Sequence, residues 1–168
     1  MKNNKIVLIG FAACYKTTVG KLLADNLGCS FVDTDAEIER ASGLTIQQIF
    51  DIHGEEYFRK LEREQLVNLT NCCNAVISCG GGSVLADNFD EFARDSLVVW
   101  LTATAETVRA RLGAGTRPLF DKLTTKQLDV YIRNRAPLYK QYVQVEISTD
   151  GKTPEQVTQE VLMYLCDC

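Results

Sequence analysis

Short blocks of consecutive apolar residues alternate along this chain with longer stretches in which apolar positions recur every three or four residues. Residues 6–9, 75–78 and 97–101 are blocks of the first kind, too short for buried helices and bounded by turn-forming residues, so they predict buried strands. Residues 31–35, which end in two acids, and residues 143–147 predict two more. After the first block, Val19, Leu22, Leu23 and Leu27 follow at helical spacing, with Gly28 as a C-terminal stop. Residues 36–42 predict a helix closed by Gly43, and Thr45 caps a short helix through Phe50 that His53-Gly54 breaks. A long helix then carries Phe58, Leu61, Leu66 and Leu69 on one side. Further helices are predicted over 104–112 and 124–139, and the last opens with Thr153 and Gln156 as a capping box and Pro154 at its first position. Strands alternating with helices imply right-handed crossovers, a five-stranded parallel sheet and a three-layer α-β-α architecture of the α/β class. No internal repeat or linker interrupts the alternation, so residues 1–168 are expected to form a single domain. The glycine-rich run around Arg117-Pro118 predicts a mobile lid at about 113–123.

Composition narrows the function. The chain has 168 residues, 46% hydrophobic and 24% charged, which suits one substantial core. A net charge of −4 argues against a general nucleic-acid or anionic-membrane binder, and no segment approaches the ~18 apolar residues a membrane span needs. Seven cysteines without paired C-x-x-C spacing point to reduced thiols and a cytoplasmic protein, and Cys166-Asp-Cys168 offers too few ligands for a metal. Lys2 and Lys5 ahead of an apolar run ending at Cys14 superficially resemble an export signal. That run is short, and cleavage after it would delete the first strand, so the N-terminus is expected to be retained.

The first strand leads into Gly10-Phe-Ala12-Ala13-Cys14-Tyr15-Lys16-Thr17-Thr18 and then a helix. A loop between strand and helix N-terminus, ending in Lys-Thr, is what a phosphate cradle requires: backbone N–H groups converge on the anion, the helix dipole favours it and the lysine neutralises charge. The usual pattern is G-x-x-x-x-G-K-[ST], and Tyr15 stands where the second glycine belongs. Asp33 and Asp35 lie at the ligand-facing end of their strand, with helix capping as the plainer alternative role. Gly80-Gly81-Gly82, directly after a buried strand, signals close approach of the backbone to another group. His53, the only histidine, is read as a helix-end residue.

Taken in order, the loop ending Lys16-Thr17, Phe31-x-Asp33-x-Asp35, Gly54-Glu-x-x-Phe58-Arg59-x-x-Glu62, Gly80-Gly81-Gly82, Arg117-Pro-Leu119 and Arg135-x-Pro137-x-Tyr139 resemble shikimate kinases, small kinases of the P-loop type. The family pattern has glycine where this chain has Ala13 and Tyr15. The resemblance implies ATP-dependent phosphorylation of shikimate in aromatic amino-acid biosynthesis by a monomer. It further implies ATP held by residues 12–18 with Arg111 and the 149–154 segment near adenine, and Mg2+ held by Thr17 and, through water, Asp33. Shikimate would lie against Arg59, Arg135, Glu62 and Gly80 to Gly82, with Asp35 accepting the hydroxyl proton and Lys16 and Arg117 stabilising the transferred group. Two other readings stay open: a kinase for another hydroxy acid such as gluconate, and a shikimate-binding module that the Ala13/Tyr15 loop has deprived of ATP use.

Overall fold

The computed structural model describes residues 5–112 and 123–166. Arg117 and nearly all of the expected lid therefore lie outside the described residues. The strands are β1 (Lys5–Ile9), β2 (Ser30–Asp33), β3 (Ala75–Ser78), β4 (Leu97–Thr102) and β5 (Val145–Ser148), and they form one parallel sheet in the order β2-β3-β1-β4-β5. The helices are α1 (Lys16–Leu27), α2 (Thr34–Ser42), α3 (Ile46–Leu69), α4 (Phe89–Ala93), α5 (Ala105–Arg111), α6 (Thr125–Lys140) and α7 (Pro154–Cys166).

The three layers follow from the two-residue period of the strands. Ile6 and Leu8 point into a core shared with Val19 and Leu23 of α1, Val108 of α5, Leu128 of α6 and Val157 and Val161 of α7. Their neighbours Val7 and Ile9 point into a second core with Leu66 of α3, Phe89 and Phe92 of α4, and Tyr139 at the far end of α6. Both faces of β1 are thus covered, which is why it reads as an unbroken apolar run. A smaller cluster of Ile38, Ile49 and Phe58 joins α2 to α3.

Where sequence and structure differ, local hydrogen bonding accounts for it. The second strand stops at Asp33 rather than 35, because the Asp33 side chain accepts from the Ala36 N–H and caps α2, which places Asp35 in the first helical turn. The last strand is Val145–Ser148, two residues later than its predicted start. A 3₁₀ turn, Ser83–Leu85, and the short α4 were not anticipated. Thr45 does form the capping box of α3, and Gly54, at φ 81° and ψ 174°, does break that helix. Lys5 is 1% exposed, and its Nζ donates to the carbonyls of Thr70 (2.9 Å) and Phe92 (2.6 Å), pinning the start of β1 to the ends of α3 and α4. Burial lowers its pKa.

At the other end of β1, Gly10 takes φ 142°, and a Cβ there would collide with the carbonyl oxygen of Leu101 in β4. Gly10→Ala is expected to lose about 1–3 kcal/mol of stability, seen as a lowered urea midpoint with an unchanged m-value.

Candidate active site

Parallel strands deliver their C-terminal ends to one edge of the sheet, and three connections meet there. Residues 10–15 follow β1, Asp33 to Asp35 follow β2, and Cys79 to Gly82 follow β3. Register fixes their mutual height: Asp33 pairs with Ser78, Ser78 with Leu8, and the Cys79 N–H donates to Leu8 O at 3.0 Å.

The loop into α1 has the form of an anion cradle. Whereas side-chain oxygens cap α2, α3, α5 and α6, the residue before α1 is Tyr15, whose side chain makes no capping hydrogen bond, and the first turn of α1 contains no acid. Lys16 Nζ lies back along the loop, donating to Phe11 O at 2.8 Å. Ala13 and Tyr15 adopt φ of 60° and 64°, the left-handed region where a side chain costs about 1–2 kcal/mol each. The Tyr15 ring lies against Arg111, whose guanidinium carbon is 3.6 Å from the ring centroid. Within the loop Ala12 and Cys14 are buried, and burial pushes the Cys14 thiol up, while Thr17 and Thr18 are exposed.

Thr17 Oγ1 donates to Asp33 Oδ2 at 2.7 Å. A hydroxyl and a carboxylate side by side at a helix N-terminus suit a hard, oxygen-seeking ion that keeps part of its water, so the pair fits magnesium. Among the described residues, no group of three or more His, Cys, Asp or Glu side chains gathers to hold a metal.

The second half of the site is built on the glycine triplet. A Cβ on Gly80 would fall on the Asp35 carboxylate, and one on Gly82 would fall on the Arg59 guanidinium, so both side chains lie against bare backbone. The Gly80 N–H donates to Thr34 Oγ1 at 2.9 Å; what Gly80 contributes is therefore room for Asp35 rather than an open donor. The Gly81 carbonyl accepts from Arg135 Nη1 at 3.1 Å and from Tyr139 Oη at 2.7 Å. Burial pushes the Tyr139 phenol up to about 12, with Arg135 opposing, so it stays a neutral donor. Glu62 is 3% exposed and accepts from Arg59 Nη1 at 2.5 Å and Ser83 Oγ at 3.1 Å. Burial alone would lower the Arg59 pKa, but Glu62 and Glu55 outweigh it and raise it. Arg59 remains fully charged.

The structure thus brings Asp35, Arg59, Glu62, Arg135 and the triplet together, beside Lys16, Thr17 and Asp33. Sequence reasoning assigned no role to Tyr131 or Tyr139. Their spacing of four from Arg135 on either side was the available signal, since it sets the three on one stripe of α6. Arg135 Nη2 donates to Tyr131 Oη at 2.9 Å, and the Tyr131 ring meets the Phe11 ring edge-on at 5.7 Å.

A parallel sheet in this order, with a Lys-Thr loop between its central strand and the first helix, defines a phosphotransferase fold of the P-loop kinase type. Residues 12–166 match the sequence model of the family described as shikimate kinase. A shikimate kinase of Moorella thermoacetica is 40% identical over 158 residues, covering 93% of this chain and 91% of that protein. The solved structure of the Acinetobacter baumannii shikimate kinase in complex with shikimate superposes with a TM-score of 0.91 at 33% identity, covering 98% of this chain and 94% of that one. A gluconokinase of Sinorhizobium meliloti shares the fold at 15% identity and a TM-score of 0.59, covering 98% and 93% of the two chains. The chain belongs to the shikimate kinase family.

On the far side of the cradle, Asp150 accepts from the Thr104 N–H and hydroxyl and from Ser148 Oγ, each at 3.0 Å. Partial burial would raise its pKa, but hydrogen bonds from Thr107, Thr104 and Ser148 hold it below the ordinary 3.8. A depressed folded-state pKa contributes stability that is complete above the unfolded value and lost as pH falls through the folded one. Asp150→Asn is therefore expected to lower stability at neutral pH and to flatten its decline below about pH 4, measured by urea titrations across pH.

Proposed function

We propose that this protein is an ATP-dependent kinase that transfers a phosphoryl group to a hydroxyl of shikimate, giving shikimate 3-phosphate and ADP in aromatic amino-acid biosynthesis. The observation that carries this reading is the convergence of Asp35, Arg59 and Arg135 on Gly80 to Gly82, next to a Lys-Thr anion cradle. A carboxylic acid with several hydroxyls needs a cationic clamp and one well-placed acceptor, and this half-site has both. The same convergence favours shikimate over gluconate, for which only likeness of fold speaks.

When bound, ATP would supply the γ-phosphoryl group, and magnesium, which Thr17 and Asp33 would hold, would neutralise charge on the phosphates. Arg59 and Arg135 bind the substrate carboxylate, each with a planar fork suited to two oxygens. Glu62 and Tyr131 fix where those forks point. Asp35 orients the reacting hydroxyl and accepts its proton as oxygen bonds to phosphorus. Lys16 at the cradle, with Arg117, which lies outside the described residues, steadies the negative charge on the group in transfer and on the departing ADP. The chain acts as one kinase domain and as a cytoplasmic monomer on small molecules rather than on nucleic acid or membranes. Its net charge of −4 supports a small-molecule partner over nucleic acid or an anionic membrane. Ala13 and Tyr15 keep the left-handed backbone that glycine adopts without cost, which favours a raised KM for ATP over loss of its use.

A coupled ADP-release assay with shikimate, with gluconate and with no acceptor tests the reading. ADP release should require shikimate, and release with gluconate alone, or with neither, would overturn it. Asp35→Asn is expected to abolish turnover while retaining ATP binding, since an amide cannot take the proton. Arg135→Ala should weaken shikimate binding by about 1.5–3 kcal/mol, roughly 10- to 150-fold in Kd by calorimetry, with ATP affinity unchanged.

A further inference from the structure

The two left-handed residues of the cradle share one partner. Arg111, the last residue of α5, donates from Nη1 to Ala13 O at 3.0 Å, while its guanidinium carbon sits over the Tyr15 ring, 3.6 Å from the centroid. The same group is anchored in turn: Nη1 also donates to Thr149 Oγ1 at 2.8 Å and Nη2 to Thr149 O at 2.6 Å. Thr149 is fully buried and bound to the end of β4, its N–H and hydroxyl donating to Thr102 O at 2.8 and 2.9 Å. A single planar cation therefore ties the carbonyl of one strained residue and the side chain of the other to the sheet.

Strained backbone persists only where its surroundings over-determine it. Glycine would hold both positions without steric cost, but Ala13 and Tyr15 would not. We infer that Arg111 is a positioning residue for the phosphate cradle: it holds Ala13 and Tyr15 in the left-handed conformations the cradle needs, independently of any contact with the nucleotide base. This rests on the proposed reading of residues 10–17 as the ATP cradle. Only arginine fits the role, because it combines a forked set of donors with a flat face that stacks on a ring, whereas lysine offers charge alone. Tyr15 is accordingly half of a pair: its ring supplies the surface against which the guanidinium settles.

The test separates the cradle from the base by using inorganic tripolyphosphate with magnesium beside ATP with magnesium. Affinities are measured by calorimetry for the parent, Arg111→Lys, the Ala13→Gly/Tyr15→Gly variant and the combination of all three. Arg111→Lys keeps the positive charge and is expected to weaken both ligands alike, by about five- to thirtyfold, which is what one or two kcal/mol of unrestrained strain amounts to. Amide exchange over residues 11–16 should quicken, while shikimate affinity without nucleotide stays at the parental value. In the two-glycine background the same lysine substitution should change tripolyphosphate affinity by less than about twofold, since nothing remains to be held. Tyr15→Leu, which leaves α5 intact and keeps the strained backbone, should weaken both ligands in the same direction.

Loss of ATP affinity with unchanged tripolyphosphate affinity would reduce Arg111 to a base contact and overturn the inference. Equal losses with and without the glycines would overturn it too, making the arginine a direct phosphate ligand. Should neither the parent nor the two-glycine variant bind either ligand, the cradle itself falls, and the proposed function with it.

Discussion

Backbone without side chains is the constraint on which the site depends. At Gly80 and Gly82 the space that a Cβ would fill is taken by the Asp35 carboxylate and the Arg59 guanidinium. The carbonyl of Gly81 between them is the anchor for Arg135 and Tyr139. Four side chains from three different helices are thereby referenced to one turn, and that turn is fixed because β3 is buried on both faces and runs straight into it. The carbonyls of Gly80 and Gly82 accept from Ser83 and Leu85 at 3.1 and 2.9 Å, closing the 3₁₀ turn that holds the triplet rigid. Ser83 also donates to the buried Glu62, which holds Arg59. The turn and the arginine are parts of one network. A buried carboxylate of this kind adds little net stability, because desolvation consumes much of what the ion pair returns. What it provides is a fixed direction for a charged side chain in the cleft.

The cradle obeys the opposite logic. There, glycine would be free of strain, and this chain uses alanine and tyrosine instead. Part of what is lost in backbone conformation returns through the Tyr15 ring, which packs on Arg111 and on the core beneath α1.

Much of this was readable in the residues themselves. The strands buried on both faces announce themselves as short apolar runs, and Thr45, Thr124 and Thr153 mark helix starts by the same residue that caps them. Asp33 and Asp35 were readable as a pair, and the family resemblance implied one beside the metal and the other at the reacting hydroxyl. Only the fold reveals that Asp33 both caps α2 and accepts from Thr17, while Asp35 turns towards Gly80. The segment around Phe89 and Phe92 escaped because its helix is too short to establish a period. Tyr139 escaped because a buried tyrosine at helical spacing reads as core, which it also is. Tyr15 packs against Arg111, nearly a hundred residues away, a pairing invisible to any local pattern.

The two halves of the site are joined by more than proximity. Lys16 donates to Phe11 O, the Phe11 ring packs edge-on against Tyr131, and Tyr131 accepts from Arg135, which reaches Gly81. A packed, hydrogen-bonded series thus runs from the cradle to the glycine triplet along one stripe of α6. Aromatic rings in such contact are stiff relative to a chain of flexible side chains, since each has only two torsions to fix. For a transfer between two bound molecules, the advantage of an enzyme lies largely in holding reacting groups at a set separation before the reaction begins. On the proposed reading, the rings of Phe11 and Tyr131 set that separation. They keep the loop that holds phosphate and the arginine that holds the acceptor parts of one rigid body, so little reorganisation of either half is left for the moment of transfer.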